Sequence, residues 1–436
     1  MTSPMMKVLA ATVAVSSALV SAHPALHPAI RRDSTSADIK PTSEISLYYQ
    51  SVNSSSLGAL VQADLQIPSV VLENIQDLSS VVCSTESVTI TFNSTTAYDQ
   101  SYSTWPHSDL LLVTNHLGNC DAEAERGLYQ VSSLAFDNRT LTITASTTET
   151  NLQTQAKNVA IAFGSSLASG SRKRDLTASV DLDWSGDLIN TTALKIHAGE
   201  ASLDATVDIS GYIQFNLLAL TASKLEIDIA LDLAAALNLT VSATGSLSKN
   251  LYSYTWSPIS VSPFTIPGIL SIGPILDVDV GVDFGIGGSA DIVGNMSVSS
   301  SGLVHLDLLN ATGSSVSGLS PKATASATIS ALADVDLDPF VGAEAAVGIT
   351  LFNGLLDLSS GVKAKATVAN VFTVDADVGI TEPGNVTLIS GTGSCSNGYW
   401  FTSDFVFNAT AFVTEFYSVD LYSMDAPIYS TSCMLF

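Results

Sequence analysis

From residue 175 to its end the chain contains no arginine and only six lysines, against 27 aspartates and glutamates. With a net charge of −25 overall, such a surface repels nucleic acid and anionic membranes, so neither is an expected partner. Histidine is nearly as scarce: His23, His27, His107, His116, His197 and His305 are all there is. No G-x-S-x-G elbow and no H-E-x-x-H pair occurs, which removes the usual marks of a serine hydrolase and a zinc peptidase. D-T-G and D-S-G are missing too, which disfavours a pepsin-like protease. Beyond the first 22 residues no segment has the length and uniform apolarity of a membrane-crossing helix. Charge is sparse, 13% of residues against 46% apolar, so this is not a disordered acidic tail.

Only four cysteines are present, Cys83, Cys120, Cys395 and Cys433. Four allow three pairings. Cys83–Cys120 and Cys395–Cys433 are favoured, because each pair lies within one half of the chain and closes a loop of similar length. Paired thiols are neither nucleophiles nor zinc ligands. They fit an oxidising secretory route, and the first residues agree. Lys7 is followed by a short apolar stretch and by Val20-Ser21-Ala22, small residues suited to cleavage after Ala22, so 1–22 reads as a signal peptide. Two basic sites follow. Arg31-Arg32 would release a propeptide, 23–32, by cleavage after Arg32. Arg172-Lys173-Arg174 lies in a Ser/Gly-rich linker, 164–175, and offers a second cut after Arg174. Nine asparagines sit in glycosylation sequons: Asn53, Asn93, Asn138, Asn190, Asn238, Asn295, Asn310, Asn385 and Asn408.

What is abundant is alternation. Asp277-Val278-Asp279-Val280, Asp334-Val335-Asp336-Leu337-Asp338 and Val374-Asp375-Ala376-Asp377-Val378 change polarity at every residue. Period two is the signature of a strand with one face buried. The expected fold is mainly β: a small β-rich (α+β) unit at 33–163, then a large acidic antiparallel sandwich-like unit of long hairpins at 176–436. In the first, 87–92, 109–114, 128–135, 139–145 and 158–163 read as strands and 95–105 as a helix capped by Asn93, Ser94 or Thr95. Asp137-Asn138 marks a hairpin. In the second, strands are expected at 201–209, 212–220, 224–234, 237–247, 276–284, 289–298, 302–309, 344–352, 355–368 and 371–380, among others. Asn353-Gly354 signals a two-residue hairpin. Ala343, Ala345, Val347 and Ile349 are expected to face inward. The Pro-rich stretch 256–274 reads as a crossover and not as a central strand. The aromatic tail, 395–436, reads as the core of a disulfide-closed cap, with sugar stacking as the other role for its rings.

The residues of the first unit carry a resemblance. Val71-Leu72-Glu73, Val82-Cys83, Thr89-Ile90-Thr91-Phe92, Ala97-Tyr98, Trp105, Leu111-Leu112-Val113-Thr114, His116, Cys120, Glu125-Arg126 and Tyr129-Gln130-Val131 resemble, in order, those of secreted fungal proteins with two tandem β-rich domains of uncharacterised function. Leu182-Asp183-Trp184 and Ile266-Pro267-Gly268 extend the likeness into the second unit. Relatives often carry extra cysteines near the position of His197-Ala198, and this chain has none there. The resemblance implies secretion and a two-domain layout, and it brings no activity.

No motif names a reaction, and no catalytic residue or cofactor is expected. Gly285-Ile286-Gly287-Gly288-Ser289-Ala290 fits G-x-G-x-x-A, but strand-like residues follow where a nucleotide site needs a helix. Asp334, Asp336 and Asp338 begin like a calcium loop, yet Pro339 stands where glycine is needed and Ala345 where a bidentate Glu belongs. Ca²⁺ is the one ion the aspartate face could share, with a neighbouring strand's help. His116, near Glu125 and Arg126, reads as packing for the disulfide loop. The expected role is that of a secreted surface or matrix glycoprotein acting without catalysis on cell-wall polysaccharide or a surface protein. An extracellular carbohydrate-binding or carbohydrate-active protein and a carrier of apolar ligands are the alternatives.

Overall fold

Along Ser289–Asp307 exposed and buried residues alternate almost without a break. Such a strand must pack one whole face, and the chain answers with two large sheets that cover each other. A computed structural model describes residues 26–29, 39–51, 58–115, 120, 125–164, 176–256, 259–260, 264–331, 334–375, 377–380, 386–389, 398–413 and 417–435. In chain order the strands of the first half are β1 (Leu26–Ala29), β2 (Thr42–Ser51), β3 (Gly58–Val71), β4 (Leu78–Ser84), β5 (Ser87–Phe92), β6 (Leu110–Val113), β7 (Leu128–Asp137), β8 (Thr142–Thr150) and β9 (Ala156–Gly164). The helices α1 (Thr95–Thr104) and α2 (Leu152–Gln155) lie among them. Then come β10 (Leu176–Asn190), β11 (Leu194–Asn216), β12 (Thr221–Thr244), β13 (Leu247–Thr255), β14 (Ile259–Ser260), β15 (Phe264–Ile266), β16 (Leu270–Ile286) and β17 (Ser289–Asp307). The last are β18 (Ser315–Ser317), β19 (Lys322–Ala331), β20 (Val335–Leu351), β21 (Leu356–Asp375), β22 (Asp377–Ile380), β23 (Val386–Ile389), β24 (Gly398–Val413), β25 (Tyr417–Ser430) and β26 (Met434–Leu435).

The first sheet runs β18-β17-β12-β11-β9-β3-β6-β7-β8-β5-β4, with β19 also on β17, β10 on β11, and β1 joined through β2 to β3. The second runs β13-β16-β20-β21-β24-β25. Their faces meet where β12 touches β20 and β17 touches β21, and their edges meet at β10/β13 and β18/β25. At the β10/β13 seam Trp184 stacks on Tyr254, ring centroids 4.3 Å apart and nearly coplanar. Every described ladder is antiparallel except β3/β6. The expected mainly β fold with large antiparallel sheets is the observed one.

The 33–163 and 176–436 units share one sheet. Strand β9 pairs with β3 on one side and with β11 on the other, Gly211 opposite Phe163. One hydrophobic core runs from Leu26 and Leu47 through Ile161 and Val207 to Val347 and Phe407. A second, smaller core belongs to the first half and gathers α1 against β5, β6 and β8. Ser94 caps α1 by accepting from the Ala97 amide at 3.3 Å, and the Trp105 indole N–H donates to the Ile39 carbonyl at 2.8 Å. Shared sheet and core make a checkable expectation. Cutting the purified chain after Arg174 leaves both halves in one species on native size exclusion, and they part only in denaturant.

Several expected turns are absent, and the strands are longer than expected. Residues 201–209 and 212–220 fall largely in the single strand β11, 224–234 and 237–247 in β12, 289–298 and 302–309 in β17, and 355–368 and 371–380 largely in β21. At 24 residues, β12 spans roughly 80 Å. Gly211 is not a turn residue. A Cβ there would lie 2.5 Å from the Phe163 ring and 2.6 Å from the Glu226 carbonyl, so glycine lets three strands approach. Asn370 likewise sits inside β21, buried, its side-chain amide donating to the Leu337 carbonyl at 2.8 Å and its backbone N–H to the Asp338 carboxylate at 3.0 Å. Those bonds replace ladder bonds lost at Pro339, which has no N–H.

The Pro-rich crossover is partly strand: β14, β15 and the start of β16 fall within it, and Pro274 lies in β16 opposite Val347. It is tolerated because on its other side it stands between the short partners β15 and β14. The Asn353-Gly354 hairpin exists, but its loop is the four residues Phe352 to Leu355, with positive φ at Phe352, Asn353 and Gly354. Of the four positions expected to face inward, Ala345, Val347 and Ile349 are buried and Ala343 is half-exposed. The 23–32 segment contains β1, which pairs with β2 and buries Leu26 completely.

Candidate functional site

Register carries side chains from distant parts of the sequence into rows across the outer face of the first sheet. Asp181, Asp204, Ala234, Ser299 and Lys322 stand opposite one another in turn on β10, β11, β12, β17 and β19. Two residues along, the row is Asp183, Ser202, Ala236, Ser297 and Thr324. A third row holds Glu200, Asn238, Asn295 and Ser326. Rows two residues apart lie roughly 7 Å apart and neighbouring strands about 4.8 Å. Ala234 and Ala236 on the central strand leave a depression, and hydroxyls, amides and carboxylates wall it. Two adjoining hollows make a shallow trough crossing the strands, one of about 630 Å³ over the first two rows and one of about 340 Å³ over the second and third, with Ala236, Ser297 and Thr324 in both. Its wall is ordered by side-chain bonds: Ser297 and Thr324 hydroxyls meet at 2.6 Å, and Asn238 Nδ2 donates to Asn295 Oδ1 at 2.6 Å.

A histidine–aspartate pair lies beyond each end of the trough along the strands. His197 Nδ1 is 2.7 Å from Asp187 and His305 Nδ1 is 2.8 Å from Asp228. The bond from His197, together with one from Asn190, holds the Asp187 carboxyl below its ordinary range. Among the described residues no hydroxyl is hydrogen-bonded to either ring, so each is a histidine–aspartate pair. His107 packs edge-on to Phe136. His23 and His116 lie outside the described residues.

The aspartate repeats that stand out in the sequence fall on the second sheet. Asp283 faces Asp338 and Asp277 faces Glu344 across β16/β20. They are interleaved with cations: Lys249 is 2.7 Å from Asp338 and Lys363 2.8 Å from Glu344. The face is less solvated than an all-acid stripe would be. Burial pushes the Asp279 carboxyl up, and burial of Asp338 outweighs the opposing pull of Lys249. Asp336 and Asp338 belong to β20 and do not form a loop, and Gly287-Gly288 is the bend between β16 and β17. Among the described residues no group of three or more His, Cys, Asp or Glu is placed to hold a metal ion.

The first half holds a buried ion pair that the sequence did not announce. Arg126 Nε donates to Glu73 Oε1 at 2.9 Å, its Nη2 donates to the same oxygen and, at 2.8 Å, to the Tyr48 carbonyl. The guanidinium also lies 4.4 Å from the centre of the Tyr49 ring. Both side chains are almost fully buried, at 1% and 3% exposure. Sequence separation of 53 residues hides the partnership.

Cys83 and Cys120 form the expected disulfide, tying edge strand β4 to the segment after β6. Cys433 is disulfide-bonded, and Cys395, assigned to it above, lies outside the described residues. Asn93, Asn138, Asn190, Asn295, Asn310 and Asn408 are exposed and Asn238 is half-buried. Asn53, Asn385, Ala22, Arg32 and Arg174 lie outside the described residues. In the aromatic tail Phe405 and Phe407 are buried in the main core, which leaves those rings no face for a sugar. Among the described residues no helix is long and apolar enough to cross a membrane.

The trough escaped the sequence because its floor, Ala234 and Ala236, straddles the break expected between strands 224–234 and 237–247. The only sequence signal was the run of small residues at period two.

Comparison with known proteins adds a boundary and no activity. No curated protein and no solved structure matches the chain. The matched segment, 62–160, spans Glu73, Arg126 and both members of the Cys83–Cys120 disulfide. Over those residues the chain carries a domain of unknown function, DUF7029.

Proposed function

We propose that this is a secreted, glycosylated surface or matrix protein that acts by binding and not by catalysis. In this reading the trough takes a neutral, extended polysaccharide of the cell wall. The observation that supports it is the repeat of polar groups across five strands over an alanine floor. Strand spacing of about 4.8 Å is close to the length of one β-linked hexose, so successive sugars would meet successive strands. Hydroxyl, amide and carboxylate walls suit sugar hydroxyls, which both donate and accept. The net charge of −25 favours a neutral polymer over an anionic one.

The test is co-sedimentation of the secreted protein with an insoluble neutral β-glucan. Ala236→Arg places a long side chain in the floor of both parts of the trough. It is expected to lower the bound fraction at least tenfold with an unchanged thermal midpoint. Equal retention of the variant and the parent would remove the trough from the account.

A further inference from the structure

Two sequons that are far apart in sequence face each other at the end of the trough. Asn238, in Asn238-Leu239-Thr240, stands directly opposite Asn295, in Asn295-Met296-Ser297. Paired residues on antiparallel strands have Cα atoms about 4.5–5.5 Å apart, less than the width of a hexose ring with its substituents. Both positions cannot carry a glycan in one folded chain.

The geometry separates the two. Asn238 is half-buried on β12, flanked by β11 and β17. Its Nδ2 donates to Asn295 Oδ1 at 2.6 Å, and its Oδ1 faces the bare backbone of Gly199, where a Cβ would lie 3.3 Å away. Asn295 is exposed, one strand nearer the sheet edge, and its Nδ2 makes only a 3.4 Å bond to Ser326 Oγ. A glycan on Asn295 Nδ2 leaves its Oδ1 free to keep accepting from Asn238. A glycan on Asn238 would start from the half-buried position, on a strand flanked by β11 and β17.

We infer that Asn295 carries the N-glycan of this pair, that Asn238 stays bare, and that the first sugars on Asn295 lie in the trough and set access to it. The inference rests on the secretory and trough-binding reading above. Attachment forms a bond from Nδ2 to C1 of the sugar and breaks the bond from C1 to the pyrophosphate of a lipid-linked oligosaccharide donor. The pyrophosphate leaves and one amide proton is released. Transfer acts on the emerging chain, so folding does the sorting: a sugar on the half-buried Asn238 crowds the packing beside β11 and β17, and chains that carry it fold less well. From Asn295 the neighbouring rows at Ala236/Ser297 and Ala234/Ser299 lie roughly 7 and 14 Å along the strands, within reach of the first few sugars.

The experiment is glycopeptide mapping of the secreted protein, with timed release of glycans from the native chain by a peptide-N-glycan amidase. The expected map has sugar on Asn295 and none on Asn238. Release from Asn295 is expected at least tenfold slower than from the exposed Asn138 and Asn310 in the native protein, and equal to theirs after denaturation. Ala236→Arg fills the floor and should bring the Asn295 rate up to that of the other two. Sugar on Asn238, sugar on both residues of one chain, or equal native rates would overturn the inference. Sugar on Asn138 or Asn310 with a bare Asn295 sinks the inference alone. A chain with no sugar at any sequon takes the secretory reading down as well.

Discussion

Replacing Arg126 with methionine is expected to cost the fold about 3–5 kcal/mol, because it strands a buried carboxylate. Glu73 is 3% exposed, and the one oxygen it shares takes both bonds from Arg126. Its other oxygen, Oε2, has no hydrogen bond among the described residues, so nothing else compensates the charge. The same substitution releases the Tyr48 carbonyl and the Tyr49 ring face, loosening β2 beside β1. Urea denaturation of the intact protein reads the effect. The double variant Glu73→Leu with Arg126→Met removes both charges and should recover most of the loss, since well-packed apolar pairs often equal or exceed buried ion pairs. A single-variant cost under about 1 kcal/mol would show that the pair is reached by water after all.

Breaking the Cys83–Cys120 disulfide is expected to have an effect of similar size, about 4 kcal/mol. The bond closes a loop with a sequence separation of 37. Cross-linking such a loop removes chain entropy from the unfolded state, and the logarithmic dependence on loop length gives that figure. Locally the bond anchors β4, which among the described residues ends the long sheet beside β5. A Cys83→Ser/Cys120→Ser variant should unfold at lower urea concentration than the parent. An unchanged unfolding midpoint would mean that β4 is held by the β5 ladder and the small core alone.

Sequence alone reached the local features because their causes are local. Ser94 caps α1 from three residues away, and Asp137 shapes its own hairpin by accepting from the Arg139 amide at 2.9 Å. Alternation gave the strands and the buried face. It could not give their lengths, because Gly211, Asn370 and Ala235-Ala236 look like interruptions until their neighbours are known. Gly211 answers to Phe163 and Glu226, and Asn370 to Leu337 and Asp338. The trough was hidden for the same reason. Its rows join β10 to β19, and only register shows that Asp204, Ala234, Ser299 and Lys322 share a line. The aspartate repeats drew the eye to the second sheet, where lysines and neighbouring strands absorb them. The residues that line the trough are small or polar and spread along the chain from Asp181 to Ser326.

One measurement bears most directly on the claim that this protein binds an extended neutral polysaccharide without cutting it. The purified protein is incubated with an insoluble neutral β-glucan, and bound protein and newly formed soluble sugar ends are followed together over a day. Saturable binding, competed by soluble oligosaccharides of the same linkage, with no growth of sugar ends, is the predicted result. Growth of sugar ends in proportion to protein, or the absence of any saturable binding, would contradict it.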